Sequence, residues 1–446
     1  MFSIYIHIPF CLNKCNYCSF NSHSFSELDV EPRKMEREYV DAVICEFHKQ
    51  LRELNLYDET VATLYFGGGT PSIFSGESIE KIIGAIKSCV AFAADIEITI
   101  EANPATITRE KLLTLRQIGV NRISLGVQSL RDEKLQFLGR IHSVGDAMVA
   151  LEYMRNVGDG NVCAGNIDAE NRCDEITGDG NANAESGRGN NTGDNNTNIS
   201  VDLIFGSALD SPESLREELR QIVAEKPQHI SIYGLSIDEG SRFYDQCCAG
   251  RREKTKSPYT CNDDDYAIMY RLIQHELTTA GYNQYEISNF AIPGYESKHN
   301  ITYWNCGGGG SCQCGPHPAG SNYIGLGAGA SSYFTTKSSH TRWTNIKHPL
   351  QYISAAHSDS ELKEYSEILS TEQRKTEFVF LGLRQRAGIE LERYKELFQE
   401  DFCVSKRSEI EKLRNNGMLV LENGFCKIPP DQFVLADGII EQLLCG

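Results

Sequence analysis

Residues 4–18 read IYIHIPFCLNKCNYC, and this stretch decides how the rest of the chain is interpreted. Apolar residues alternate with others as far as Pro9, which is the pattern of a β-strand. Three cysteines, Cys11, Cys15 and Cys18, follow within one short loop. Thiolates are soft ligands that select zinc, cuprous copper or iron–sulfur clusters, so the loop predicts a metal site.

The spacing of the three thiols helps to distinguish a zinc site from an iron–sulfur cluster. A structural zinc site usually takes four protein ligands as two spaced pairs, so zinc here would need His7 or His23 as the fourth. Three thiolates on a cubane of four irons would instead leave one iron open. This spacing resembles that of the radical S-adenosylmethionine (SAM) enzymes. The resemblance implies a [4Fe-4S] cluster on the three cysteines, with the amino and carboxylate groups of SAM bound at the open iron.

The composition is typical of a large intracellular protein. With 446 residues, of which 40% are apolar, the chain is long enough for two domains with a substantial core. A net charge of −18 argues against nucleic acid as a partner. No apolar run approaches the ~20 residues that span a bilayer, and Met1 leads directly into the first strand without a targeting segment. We therefore expect a cytoplasmic protein without a transmembrane segment, whose cysteines stay reduced.

Strand-like runs alternate with helical patterns over the first half of the chain. Such alternation is typical of repeated βα units around a parallel sheet. It predicts an α/β fold, a partial (β/α)6 barrel of the TIM type. The six predicted strands are 3–8, 61–66, 96–100, 122–127, 199–205 and 229–235.

Polar or glycine-rich residues follow the predicted strands. The cysteine loop follows the first strand, Gly-Gly-Gly-Thr-Pro at 67–71 follows the second, and Glu-Ala-Asn-Pro at 101–104 follows the third. TIM-like folds gather their chemistry at the carboxyl ends of their strands. Any one of these residues could be a satisfied polar group at a strand end, but together they predict one shared site.

We expect three regions along the chain. Residues 1–240 form the barrel, with an insert at 158–198 that is rich in Asn and Gly, lacks aromatic residues and is predicted to be disordered. Residues 241–368 form an extension with a glycine- and cysteine-rich insert at 306–321. Residues 369–446 show helical patterns followed by a hairpin pattern, which predicts a small α+β domain of the winged-helix type. Its eleven basic and thirteen acidic side chains do not favour DNA binding.

Several motifs extend the resemblance to one group of radical SAM proteins, the oxygen-independent coproporphyrinogen oxidases. They are YIHIPFC at 5–11, YFGGGTPS at 65–72, LGVQS at 125–129, SVDLI at 200–204 and FLGLR at 380–384. The resemblance implies that the C-terminal region is the HemN-like domain of that group. It also implies ten SAM-binding residues: Tyr5, Tyr17, Gly68, Gly69, Thr70, Glu101, Gln128, Arg140, Asp202 and Ser236.

Two branches of this group differ near the cluster. The dehydrogenase branch, HemN, carries a further cysteine two residues after the third cluster ligand, where this chain has Phe20. The haem chaperone branch, HemW, contains His-Asn-x-x-Tyr-Trp, and this chain reads HNITYW at 299–304. The sequence is therefore identified as a member of the HemW family.

The hexapeptide is the predicted haem site, formed by His299, Asn300, Tyr303 and Trp304. Imidazole is a common axial ligand of haem iron, and the two aromatic rings could pack on the macrocycle. A histidine beside two aromatic residues is, taken alone, more often an ordinary core residue. The family pattern favours the ligand.

The resemblance implies a haem chaperone that binds haem and transfers it to acceptor apoproteins, for which respiratory, membrane-associated proteins are candidates. Its cofactors are a SAM-coordinated [4Fe-4S] cluster and haem. The alternative is a radical SAM oxidoreductase that acts on a porphyrinogen.

Overall fold

The computed structural model describes residues 1–158, 198–247, 257–305, 322–336, 339–358 and 360–445. The predicted insert at 306–321 lies outside the described residues, and so does the insert at 158–198 apart from its two end residues. Within the described ranges, no helix is long and apolar enough to cross a membrane.

Six parallel strands form the centre of the molecule, as predicted. They lie side by side in chain order, so each strand pairs with the next one along the sequence. This arrangement confirms the α/β class and the partial (β/α)6 barrel. The strands are β1 (Phe2–Ile8), β2 (Thr60–Gly68), β3 (Ala91–Ala102), β4 (Arg122–Gln128), β5 (Asn198–Phe205) and β6 (His229–Gly234).

Helices connect these strands and cover the outer face of the sheet. The first helix buries Met35, Tyr39, Val43, Phe47 and Leu51, which recur at every fourth position. The barrel helices are α1 (Pro32–Glu53), α2 (Gly76–Lys87), α3 (Arg109–Gln117), α4 (Asp132–Leu138), α5 (Val144–Gly158) and α6 (Pro212–Ala224). In the described part of the chain before the C-terminal region, four further helices follow: α7 (Arg242–Cys247), α8 (Asp263–Thr279), α9 (Lys298–Trp304) and α10 (Pro349–Ala356).

The sheet continues beyond the six predicted strands at both edges, which the sequence analysis did not foresee. On the β6 side the additions are β7 (Asn283–Gln284) and β8 (Asn289–Ala291). On the β1 side they are β9 (Tyr323–Leu326), β10 (Ser331–Thr335), β11 (His340–Asn345) and β12 (Lys363–Ile368). These strands have two to six residues, too few for a clear alternation of apolar and polar positions. The predicted extension at 241–368 thus contributes to the same twelve-stranded sheet as the barrel.

The C-terminal region combines helices with a small antiparallel sheet. An Asn-Gly hairpin joins residues 420–422 to residues 425–427, and Asn423 and Gly424 both have positive φ (51° and 82°). One hydrophobic cluster runs from the barrel into this region, so the two pack together. The elements are α11 (Thr371–Leu383), β13 (Ile389–Glu390), α12 (Leu391–Phe398), α13 (Phe402–Ser405), α14 (Arg407–Asn415), β14 (Val420–Glu422), β15 (Phe425–Lys427) and α15 (Ala436–Cys445).

A buried carboxylate ties α1 to the outer strands. Glu46 accepts hydrogen bonds from the Tyr352 hydroxyl (2.5 Å), the Asn345 amide (2.6 Å), the Gln50 amide (2.7 Å) and the Gly327 N–H (2.8 Å). Burial nevertheless raises the pKa of Glu46 to about 7.

This carboxylate predicts a pH-dependent stability. Because its folded-state pKa lies above the unfolded value, the folded protein binds the proton more tightly. The free energy of unfolding should therefore fall as the pH rises from about 4.5 to about 7, by about 3 kcal/mol for this group. Urea unfolding at pH 5 and pH 8 measures the fall, and Glu46→Gln should reduce it. An equal pH dependence in wild type and variant would contradict this assignment.

Candidate functional site: a cavity inside the barrel

The cysteine loop is fastened to the carboxyl end of β1. Residues 10–11 and 23–24 form a short parallel pair that closes the loop. The Asn21 side-chain amide donates to the carbonyls of Ala328 and Lys347, each at 2.9 Å. The backbone carbonyl of Asn21 lies 2.8 Å from His7 Nε2. These contacts fix the loop against the sheet before any metal binds.

A polar side chain lies next to each of the three thiols, with the Ser22 hydroxyl 3.9 Å from Cys18 Sγ. The Thr70 hydroxyl lies 3.5 Å from Cys11 Sγ, and the Arg140 guanidinium lies 3.4 Å from Cys15 Sγ. Burial raises the pKa of Cys11 to about 11 and raises the pKa of Cys18 as well. A bound metal would favour the thiolate forms, and the neighbouring donors would stabilise them further.

The two histidines that zinc would need as a fourth ligand already make other contacts. Both ring nitrogens of His7 are engaged, one with the Tyr5 hydroxyl at 2.9 Å and the other with the carbonyl of Asn21. The His23 Nε2 atom lies 3.2 Å from the side-chain oxygen of Asn21. In the part of the chain that the structure describes, no three His, Cys, Asp or Glu side chains converge on a single metal ion. These contacts of the two histidines favour a cluster on the three thiols over a zinc site completed by either histidine.

The three thiols lie at the mouth of a cavity of about 390 Å³ that runs through the barrel interior as far as Ser297 and Asn300. Tyr5 is not on its wall, since its ring stacks on Tyr65 and its hydroxyl bonds to His7. Nine of the ten predicted SAM-binding residues do line the cavity: Tyr17, Gly68, Gly69, Thr70, Glu101, Gln128, Arg140, Asp202 and Ser236.

The glycine run after β2 is needed for close packing against the cysteine loop. Gly68 has a φ of 113°, and a Cβ atom there would lie 2.5 Å from the His7 ring. A Cβ atom on Gly69 would lie 2.6 Å from the carbonyl oxygen of Phe10. Only glycine fits at these positions, which leaves backbone groups exposed to the cavity.

Two partly buried carboxylates lie deeper in the cavity. Glu101 accepts hydrogen bonds from the Tyr65 hydroxyl (2.8 Å) and from the N–H of Gly68 (3.0 Å). The Ser124 hydroxyl lies 3.0 Å and 2.9 Å from the two oxygens of Asp202. Burial raises the pKa of Glu101 to about 7 and raises the pKa of Asp202. Both carboxylates can still accept hydrogen bonds from a ligand.

Arg140 and Gln128 have the features of ligand-binding residues. One terminal nitrogen of Arg140 donates to the carbonyl of Gly126 at 2.9 Å, while its buried Nε has no partner. Gln128 lies in the left-handed region at a φ of 66°, a strained conformation for a residue with a side chain. The Ser236 hydroxyl bonds to Asp238 at 2.6 Å. The unpaired Arg140 nitrogen and the Cβ-free cradle fit a carboxylate-bearing ligand such as SAM.

The structure places the predicted haem motif at the opposite end of the barrel. The hexapeptide lies entirely in α9, and His299 is only 1% exposed. Its Nδ1 lies 2.7 Å from the Thr63 hydroxyl, and its Nε2 lies 2.8 Å from the Tyr303 hydroxyl. Burial lowers the pKa of His299 to about 3. Thr63 precedes Gly68 by five residues, roughly 16 Å along a strand.

The helix α9 is anchored at the floor of the cavity. Glu97 accepts hydrogen bonds from the N–H groups of Lys298 (3.1 Å) and His299 (3.0 Å), where a negative charge complements the helix dipole. Asn300 lines the cavity, whereas His299, Tyr303 and Trp304 do not. The predicted haem residues therefore lie near one another but apart from the cysteine loop.

Sequence reasoning missed two residues that organise the cavity. Tyr65 donates to Glu101 and stacks on His299, and Ser124 holds Asp202. The signal for Tyr65 was its alternation with Thr63 and Gly67, which places these three positions on the same face of β2.

A further feature lies at the cavity mouth. Phe20 lines the cavity and is 65% exposed, in the position where the dehydrogenase branch has a cysteine. The structure therefore presents an apolar ring, and no thiol, at this point of the mouth.

Comparison with known proteins identifies the family. A model of the Radical SAM superfamily matches residues 5–169, and a model of the HemN C-terminal domain matches residues 369–431. The protein named "Heme chaperone HemW" of Escherichia coli K12 is 31% identical over 360 residues, which cover 80% of this chain and 77% of that protein. The protein of the same name from Lactococcus lactis is 29% identical over 442 residues, covering 99% and 97%.

A solved structure confirms the fold. The coproporphyrinogen III oxidase HemN of Escherichia coli, a radical SAM enzyme, superimposes with a TM-score of 0.74 at 20% identity, covering 99% of this chain and 89% of that one. At this identity the likeness concerns the fold alone. The relatives above show that the chain belongs to the haem chaperone HemW family of radical SAM proteins.

Proposed function

We propose that this protein binds haem and transfers it to acceptor apoproteins, and that it carries a [4Fe-4S] cluster coordinated by SAM. The observation that supports this most is the combination of a HemW relationship over most of the chain with a complete cavity beneath three free thiols. Bound together, cluster and SAM supply radical chemistry.

In this proposal, different cavity residues bind different parts of the cluster and of SAM. Cys11, Cys15 and Cys18 would bind three irons of the cluster. The backbone of Gly68–Thr70 would receive the amino group, and Arg140 would pair with the carboxylate. The remaining polar residues would bond to the ribose hydroxyls and the adenine edge: Glu101, Gln128, Asp202 and Ser236, with Tyr17 on the wall.

Ligation of haem by His299 requires a rearrangement. Neither ring nitrogen is free while α9 is docked, because Thr63 and Tyr303 bind both. In our proposal α9 leaves the cavity floor when haem binds, and the hexapeptide then presents the imidazole to the iron. Tyr303 and Trp304 would pack on the macrocycle.

The recipients in this proposal are haem-free apoproteins, with respiratory, membrane-associated proteins as the first candidates. We place the carrier in the cytoplasm, where reducing conditions keep its thiols available for the cluster.

The alternative function is a radical SAM oxidoreductase that acts on a porphyrinogen. The intact SAM cavity favours it, because a carrier alone would not need one. Phe20 argues against it, because the dehydrogenase branch of the group carries a cysteine at that position.

This difference gives a prediction that separates the two functions. The reconstituted protein, with reduced cluster and SAM, should not convert coproporphyrinogen III. Anaerobic incubation followed by chromatographic detection of protoporphyrinogen measures this, with a HemN enzyme as the positive control. Steady multiple turnover by this protein would overturn the carrier assignment.

A further inference from the structure

A chain of contacts joins the haem motif to the SAM cradle. The His299 ring stacks on Tyr65, with centroids 4.8 Å apart and planes at 22°. The Tyr65 hydroxyl donates to one oxygen of Glu101 at 2.8 Å, and the N–H of Gly68 donates to the other at 3.0 Å. Each link is a direct contact between buried or partly buried groups. Two intermediates, Tyr65 and Glu101, thus connect the ring of His299 to the backbone of Gly68.

The same helix also closes the cavity. Ser297 and Asn300, at the N-terminal end of α9, form its floor. Glu97 holds that end of the helix, and Arg122 lies 3.6 Å from Glu97. If α9 withdrew, the cavity would lose its floor and Tyr65 would lose the ring behind it. A close-packed interior does not tolerate such a void without rearranging.

We propose that His299 is a positioning residue for SAM, and that SAM binding and haem ligation by His299 oppose each other. With α9 docked, His299 supports Tyr65 and the cradle is ready for SAM. With α9 withdrawn, the imidazole is available to iron but the cradle is loosened. The haem half of this inference rests on the proposed function, whereas the SAM half does not.

Such a coupling is reciprocal. If bound haem weakens SAM binding by some factor, bound SAM must weaken haem binding by the same factor. Couplings of this kind typically amount to roughly 5- to 150-fold. We expect at least about fivefold here, since the withdrawal disrupts both the floor and the support of Tyr65.

The test measures SAM dissociation constants on the anaerobically reconstituted full chain. His299→Ala should weaken SAM binding although His299 does not touch the cavity. His299→Phe keeps a ring behind Tyr65 and should restore most of the affinity. Tyr323→Phe is the matched control, because the Tyr323 ring contacts Tyr303 and Tyr323 does not line the cavity. Its SAM affinity should equal that of wild type.

A double-mutant cycle checks that the effect passes through Tyr65. Tyr65→Phe retains the ring but loses the hydrogen bond to Glu101, so it should weaken SAM binding without unfolding the barrel. Combined with His299→Ala, the loss should be clearly less than additive. Unchanged SAM affinity in His299→Ala, or equal losses in His299→Ala and His299→Phe, would overturn the positioning role.

Haem titrations with and without SAM test whether SAM binding and haem ligation by His299 oppose each other. In wild type, SAM should weaken haem binding by the same factor as haem weakens SAM binding. In His299→Phe the linkage should vanish, since phenylalanine cannot ligate iron. Equal haem affinities with and without SAM in wild type would overturn the antagonism. If wild type bound no haem at all, the proposed function would be refuted. The positioning role of His299 would then be tested by the SAM dissociation constants alone.

Discussion

Replacing Cys11, Cys15 or Cys18 by Ala is expected to abolish the [4Fe-4S] cluster of the reconstituted protein. The three sulfurs are the only protein ligands in the proposed site, and the nearby His7 is already bonded through both nitrogens. Two sulfurs cannot hold a cubane that already has one open iron. Visible absorption, together with iron and sulfide content, measures the loss.

The other thirteen cysteines provide controls for this prediction. Cys45 lies in α1, and its thiol donates to the carbonyl of Ala356 at 2.9 Å, so Cys45→Ala should retain the cluster. Cys312, outside the described residues, should also be dispensable. Loss of the cluster in the Cys312→Ala variant would show that the model of three ligands and an open iron is wrong.

Replacing His299 by Ala is expected to weaken haem binding more than any other change in the hexapeptide. An iron–nitrogen bond has no substitute in an apolar environment. Trp304→Ala should lose only packing, on the order of 3 kcal/mol. A haem titration followed at the Soret band measures both variants, and the band should also shift in His299→Ala.

A double variant tests the competing ligand. Cys312 and Cys314 follow the hexapeptide closely in sequence, and a thiolate can also bind haem iron. Changing both to Ser should leave haem binding intact. If only this double variant lost haem, the ligand would be a thiolate and the placement on His299 would fail.

The sequence predicted those elements whose pattern is long or chemically specific. The alternation in residues 4–18 predicted β1, and the spacing of Cys11, Cys15 and Cys18 predicted that the three thiols share one loop. The six barrel strands were found because each is followed by a helical pattern. The strands β7–β12 were missed because their place is decided by hydrogen bonds to distant strands, such as Tyr323 opposite Ser3.

The sequence predicted which residues surround the candidate site, but not which of them line the cavity and which lie behind its wall. Motif resemblance named the residues around the cavity, and nine of the ten predicted for SAM lie on its wall. Tyr5 was expected there because the family resemblance implied it, yet its ring stacks on Tyr65 and it does not line the cavity. For His299, sequence left open a core residue or a ligand. The ring is buried and both of its nitrogens are hydrogen-bonded, which fits the core role. Ligation of haem stays a prediction that requires α9 to move.

Haem transfer is the measurement that tests the central claim most directly. The reconstituted protein, loaded with one equivalent of haem, is mixed anaerobically with haem-free respiratory membranes, and the cytochrome spectrum is followed over time. The account predicts faster and more complete formation of holo-cytochrome than with the same amount of free haem, and a loss of this advantage in His299→Ala. Retention of the haem by the protein, or transfer no faster than from free haem, would contradict it.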